Sequence, residues 1–128
     1  MNVYSIQAGN FKLDGGAMFG VVPKSLWQKT NPADSANMID MSSRCMLIEN
    51  GNKLILVDTG MGNKQSEKFF SYYKRSGDFE LIKSINKAGF QANDITDVLL
   101  THLHFDHCGG AVVWDKSNEK YDVQFKNA

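Results

Sequence analysis

The stretch RCMLIENGNKLILVDTG, residues 44–60, constrains the fold more than any other part of the chain. Residues 44–49 and 53–58 each read as a strand. Asn50-Gly51-Asn52 between them leaves room only for a hairpin, and Asn-Gly is a pair that tight hairpin turns favour. The second strand is apolar without interruption from Leu54 to Val57. Such a run predicts burial on both faces, as in a sheet covered by helices.

Helices are expected to follow. Ser66 is placed to cap a segment reaching Arg75, and Asp78 to cap FELIKSINKAGF, where Leu81, Ile82 and Ile85 share a face and Gly89 supplies the stop. A short apolar strand over residues 97–100 comes next. Upstream, residues 3–7 alternate like a strand, and Gly15, Gly16 and Gly20 open a long polar loop reaching about Asp40. A loop of that length usually lines or covers a site. Its apolar residues Met18, Phe19 and Trp27 are read either as the wall of a substrate pocket or as cover for a core edge.

At 128 residues, without internal repeats or low-complexity segments, the chain is one domain's worth of α/β structure. Fourteen basic residues balance fourteen acidic ones, so no long-range field draws it to nucleic acid or an anionic membrane. The apolar runs are too short to span a bilayer, and the N-terminus lacks the basic and apolar regions of a signal peptide, which predicts a cytoplasmic protein. Cys45 and Cys108 are expected to be free thiols in that compartment.

All three histidines fall within THLHFDHCGG, residues 101–110, immediately after the strand at 97–100. Open α/β layers place ligands at the carboxyl ends of strands. Imidazole is a preferred ligand of zinc-like cations, and catalytic zinc sites typically use three protein donors and a water. His102 and His104 are spaced to share one cation. Asp106 and His107, a little further on, are placed to serve a second, making the hexad the seed of a two-metal centre. A lone histidine is more often an ordinary core or surface group, but four ligand-type residues at fixed spacing point to metal. Gly109-Gly110 is expected to let the backbone pack tightly beneath the hexad before a helix begins.

The H-x-H-x-D-H pattern of His102, His104, Asp106 and His107, with LVDTGMG upstream, resembles the metallo-β-lactamase superfamily. RCMLIENGNKLILVDTG together with THLHFDHCGG is most similar there to the N-acyl homoserine lactone lactonases and related lactone and ester hydrolases. The resemblance implies half of an αββα metallo-β-lactamase sandwich, with a mostly antiparallel or mixed sheet and flanking helices. It implies that Asp58 braces the metal loop from behind, and that the intact domain holds two Zn2+ ions, with iron or manganese as alternative metals. The implied reaction is attack of a metal-bridged hydroxide on the carbonyl of a small ester or lactone, with Asp106 also carrying the proton.

The same resemblance implies a third histidine for each metal and a bridging carboxylate, all from the later half of the fold, whereas no histidine follows His107. Residues 1–128 are therefore expected to be the N-terminal part of a single domain. Alone they are expected to be inactive and to self-associate through an uncovered sheet face. Three other readings stay open: an iron-dependent redox member resembling persulfide dioxygenases, a nuclease of the same fold, and a metal-binding module without chemistry.

Overall fold

A computed structural model describes residues 1–77 and 80–128. β1 (Asn2–Asp14), β2 (Met38–Asn50), β3 (Lys53–Val57) and β4 (Asp97–Leu99) form one sheet in that order. β1, β2 and β3 are antiparallel neighbours, and β4 joins parallel to β3. The mixed sheet with flanking helices is the expected α/β class.

The hairpin of β2 and β3 closes as its sequence predicts, with Asn50 opposite Lys53 and Met46 opposite Val57. β3 is less enclosed than its composition implied. Leu54 and Leu56 are buried, but Ile55 and Val57 on the other face are only half-covered. The inner face packs Ile6, Cys45, Leu47, Leu54 and Leu56 against Leu81 and Ile85 of α4 (Leu81–Lys87), with Ile95 and Phe125 closing the ends. Burial of such side chains supplies about 1.5–3 kcal/mol each relative to exposure.

β1 runs much further than residues 3–7. Its register passes from Gln7 opposite Arg44 to Asn10 opposite Ser42, so Ala8 and Gly9 together face Ser43. Gly9 has φ of 103°, a left-handed value that glycine adopts at little cost. The bulge shifts the inward parity from Ile6 and Ala8 to Phe11, and sequence alternation ends there while the strand continues. The expected loop to Asp40 is in fact two short helices, α1 (Gly15–Phe19) and α2 (Lys24–Trp27), before β2 begins at Met38. Asp14 caps α1 by accepting from the Ala17 backbone N–H at 2.8 Å.

Ser66 does cap α3 by accepting from the Phe69 N–H, but this helix covers only Glu67–Ser71 and turns take the chain on to Arg75. The expected cap at Asp78 lies outside the described residues. α5 (Phe105–Cys108) begins within the hexad itself. The helix expected after Gly109-Gly110 is absent there: a 3-10 turn over Gly109–Ala111 leads into β5 (Val112–Asp115), which pairs antiparallel with β6 (Lys120–Val123) as a separate ribbon. Two β-branched residues and a tryptophan at 112–114 suit a strand better than a helix. Among the described residues, no helix is long and apolar enough to cross a membrane.

Candidate metal centre

Two loops, one after β3 and one after β4, meet face to face at the carboxyl ends of these parallel strands. The backbone N–H of Asp58 donates to Leu99 O at 2.9 Å, and that of Thr59 donates to His107 O at 2.7 Å. The fully buried Thr59 hydroxyl donates to the same carbonyl at 2.9 Å. Gly110 N–H donates to Gly60 O at 3.1 Å. The seam leaves no room for side chains, since a Cβ on Gly110 would lie 2.2 Å from Thr59 O and one on Gly109 would lie 2.1 Å from Met61 O.

Asp58 is the hub of the seam. It is held at φ 61°, a left-handed conformation that aspartate tolerates better than most residues. Its Oδ1 accepts from the Thr101 backbone N–H at 2.8 Å, and the Thr101 hydroxyl lies 2.9 Å from both carboxylate oxygens. His107 Nδ1 stands 2.8 Å from Asp58 Oδ2. Burial opposes ionisation of Asp58, but hydrogen bonds from His107 and Thr101 outweigh it and hold the carboxyl below its usual range.

These contacts orient two imidazoles. A carboxylate only accepts, so His107 donates through Nδ1–H and presents Nε2 away from Asp58. With its own proton directed to Asp58, the Thr101 hydroxyl accepts from His102 Nδ1–H at 3.1 Å, which leaves His102 Nε2 free in the same way. The rings of His102 and His107 lie 4.0 Å apart between centroids, those of His102 and His104 4.7 Å. Asp106 Oδ2 is 3.5 Å from His107 Nε2. Phe105, between the ligand-type residues, packs edge-on to Phe69 at 5.4 Å and against Tyr73 at 4.5 Å, tying α5 to the apolar cluster of Phe11, Met61 and Phe70.

Three imidazoles and a carboxylate on one loop suit a borderline divalent cation by donor type. Among the described residues, however, no three such donors converge on one point. The hexad by itself therefore forms no closed shell.

Met18, Phe19 and Trp27 lie on the α1–α2 arm. Met18 is exposed, while Trp27 is buried, stacked on Phe19 at 4.9 Å and fitted over Gly15. None of the three lines the cavity of about 150 Å3 that includes Asp58, Asp106 and His107. Cys45 and Cys108 are both free thiols. Burial, with the Asp58 charge adding to it, pushes the Cys45 thiol up to about 12. Sequence reasoning passed over Thr101 and Thr59. A hydroxyl residue immediately before the first histidine, and another directly after Asp58, were the available signals.

Comparison with known proteins places this fold. The chain belongs to the metallo-β-lactamase superfamily, whose family model matches residues 38–120, more than half of the chain. It resembles the crystal structure of a "probable metal-dependent hydrolase" from Staphylococcus aureus, with 36% identity and a TM-score of 0.88 over 99% of this chain and 44% of that one. It is also similar to AidC, described as a dizinc quorum-quenching lactonase and crystallised with a homoserine product. There the identity is 34% and the TM-score 0.69, over 98% of this chain and 39% of that one. The N-acyl homoserine lactonase of Bacillus cereus is 29% identical over 84 residues, 58% of this chain and 34% of that protein. The chain thus spans less than half the length of each of these relatives.

Proposed function

We propose that this chain is the N-terminal part of a metal-dependent hydrolase domain that opens a small lactone or ester. The observation carrying this reading is the Asp58–Thr101 brace, which ties back Nδ1 of His102 and His107 and turns both Nε2 atoms outward. The lactonase relatives support the substrate class.

His102 and His104 hold one cation, and Asp106 and His107 hold the other, zinc being the metal named for AidC. Such cations, when bound, supply Lewis acidity that acidifies water towards neutral pH and polarises a carbonyl. Asp106 carries the proton from the attacking water to the leaving oxygen. Met18, Phe19 and Trp27 form the base of an arm that contributes an apolar wall for the acyl group. With two protein donors per cation where catalytic zinc sites use three, the 128-residue chain alone holds metal weakly and turns over little.

The test is His104→Ala in the full-length protein, read by metal analysis and by turnover of a panel of lactones and esters. Metal content and turnover are expected to fall while the circular dichroism spectrum is kept. A variant with two tightly bound metals and undiminished turnover overturns the assignment.

A further inference from the structure

Ser43 sits opposite the β1 bulge, where the two residues Ala8 and Gly9 face it in place of one. Bulges beside functional sites commonly re-aim a side chain. Ser43 is 7% exposed, yet its hydroxyl finds no hydrogen-bond partner among the described residues. Buried hydroxyls without a partner are disfavoured, so a polar guest is the expected complement. Ser43 borders the cavity of about 150 Å3 whose wall also includes Asp58, Gly60, Asp106 and His107. A Cβ at Gly60 would lie 2.7 Å from Ala8 Cβ and 3.9 Å from both Cβ and Oγ of Ser43, so the glycine lets β1, β2 and the loop after β3 approach closely beside the cavity.

Size and lining select the guest. Pockets for organic ligands run from about 300 Å3 upward. A water molecule takes about 30 Å3 of liquid volume and needs two to four polar partners. Ser43, Asp58, Asp106 and His107 give the cavity a polar side beside apolar Phe11 and Met41, so water fits and a substrate does not.

We propose that Ser43 is a positioning residue for Asp106: its O–H donates to an ordered water in this cavity, and that water donates to the Asp106 carboxylate. The water adds a hydrogen bond to the 3.5 Å approach of the Asp106 carboxylate to His107 Nε2 and so fixes the rotation of that side chain. The water site stands on this chain's geometry alone. Its consequence for turnover rests on the hydrolase reading above.

The experiment compares wild type, Ser43→Ala and Ser43→Thr in the full-length protein with zinc. A crystal structure that resolves waters is expected to show one within hydrogen-bond distance of both Ser43 Oγ and an Asp106 oxygen, lost in the alanine variant and kept in the threonine variant. Ser43→Ala is expected to lower kcat by roughly tenfold, as for the loss of one positioning contact, with KM and zinc content unchanged and with Ser43→Thr restoring most of the loss. Thermal melting adds a third readout. A hydroxyl satisfied by water makes Ser43→Ala neutral or slightly destabilising, whereas an unpaired hydroxyl in a dry cavity makes it stabilising. A dry cavity, a water that does not reach Asp106, or an alanine variant with wild-type kcat overturns the proposal. If wild type opens no lactone or ester, the hydrolase reading falls while the crystallographic and melting results still decide the water.

Discussion

Gly110→Ala tests whether the seam between the two loops holds the hexad in place. The added Cβ would lie 2.2 Å from Thr59 O, about 1.2 Å short of the 3.4 Å at which ordinary contact begins, and the obstacle is backbone. The loops must part. Parting stretches the Gly110–Gly60 bond and the two bonds from Thr59 to His107 O. Overpacking costs about 1–3 kcal/mol and each lost buried hydrogen bond about 1 kcal/mol, so about 3–5 kcal/mol is expected because the bonds are strained rather than all broken. At about 2–4 °C per kcal/mol for a domain of 150–250 residues, Tm of the full-length protein should fall by roughly 6–20 °C. Metal affinity should fall with it, because His107 is displaced from Asp58. Gly89→Ala is the control, with φ of 94° but open space around it, so that it strains only the end of α4. Thermal melts and chelator competition on the three proteins decide. A Gly110→Ala protein as stable as Gly89→Ala, with wild-type metal affinity, would refute the reasoning.

Asp58→Asn replaces an acceptor with an amide that serves the Thr101 and His107 donors less well, and metal affinity is expected to drop by about 10–100-fold in a chelator titration; unchanged affinity would show that the brace is only structural. Met18→Ala should raise KM for long-chain lactones more than for short ones, by about 1–3 kcal/mol at most, and equal effects across chain lengths would remove the arm from the substrate site. Asp34 gives the acid response. Backbone N–H donation from Met38, then from Ala36, with Lys74 beside it, prevails over partial burial and lowers its pKa from 3.8 to about 2. Because the folded value is depressed, its contribution is present above about pH 4 and is lost as pH falls towards 2. The Tm difference between wild type and Asp34→Asn should therefore shrink between pH 5 and pH 2, and a constant difference would contradict the assignment.

The parts of this molecule legible in the sequence are those governed by neighbours along the chain. Asn50 and Gly51 make the hairpin, the apolar run makes β3, and ligand-type residues at short spacing mark the loop after β4. The bulge at Ala8 and Gly9 escaped because it breaks alternation without ending the strand: its hydrogen bonds are made to β2, more than thirty residues on. The 3-10 turn at Gly109–Ala111 escaped for a related reason. Gly-Gly followed by valine is compatible with a helix start, and what decides against one is Gly110 being pinned to Gly60 O from another loop. Thr59 and Thr101 find their partners only when the loops after β3 and β4 meet, so a hydroxyl residue beside Asp58 or His102 marked the positions without showing what the hydroxyls touch.

Asp58 shows how fold and site depend on one another. β3 and β4 are parallel and end level, with Val57 beside Leu99, so the residues that follow them emerge side by side. A continuing extended backbone at residue 58 would carry its carboxylate along the strand. The left-handed turn at φ 61° instead turns the chain so that its N–H meets Leu99 O while the side chain reaches Thr101 and His107. Such a conformation in a residue other than glycine costs of order 1–3 kcal/mol. Glycine would remove that strain, and with it the acceptor that orients the Thr101 hydroxyl and the His107 ring. An aspartate here gives up local backbone stability so that two imidazoles from the loop after β4, one of them 49 residues away along the chain, present Nε2 outward.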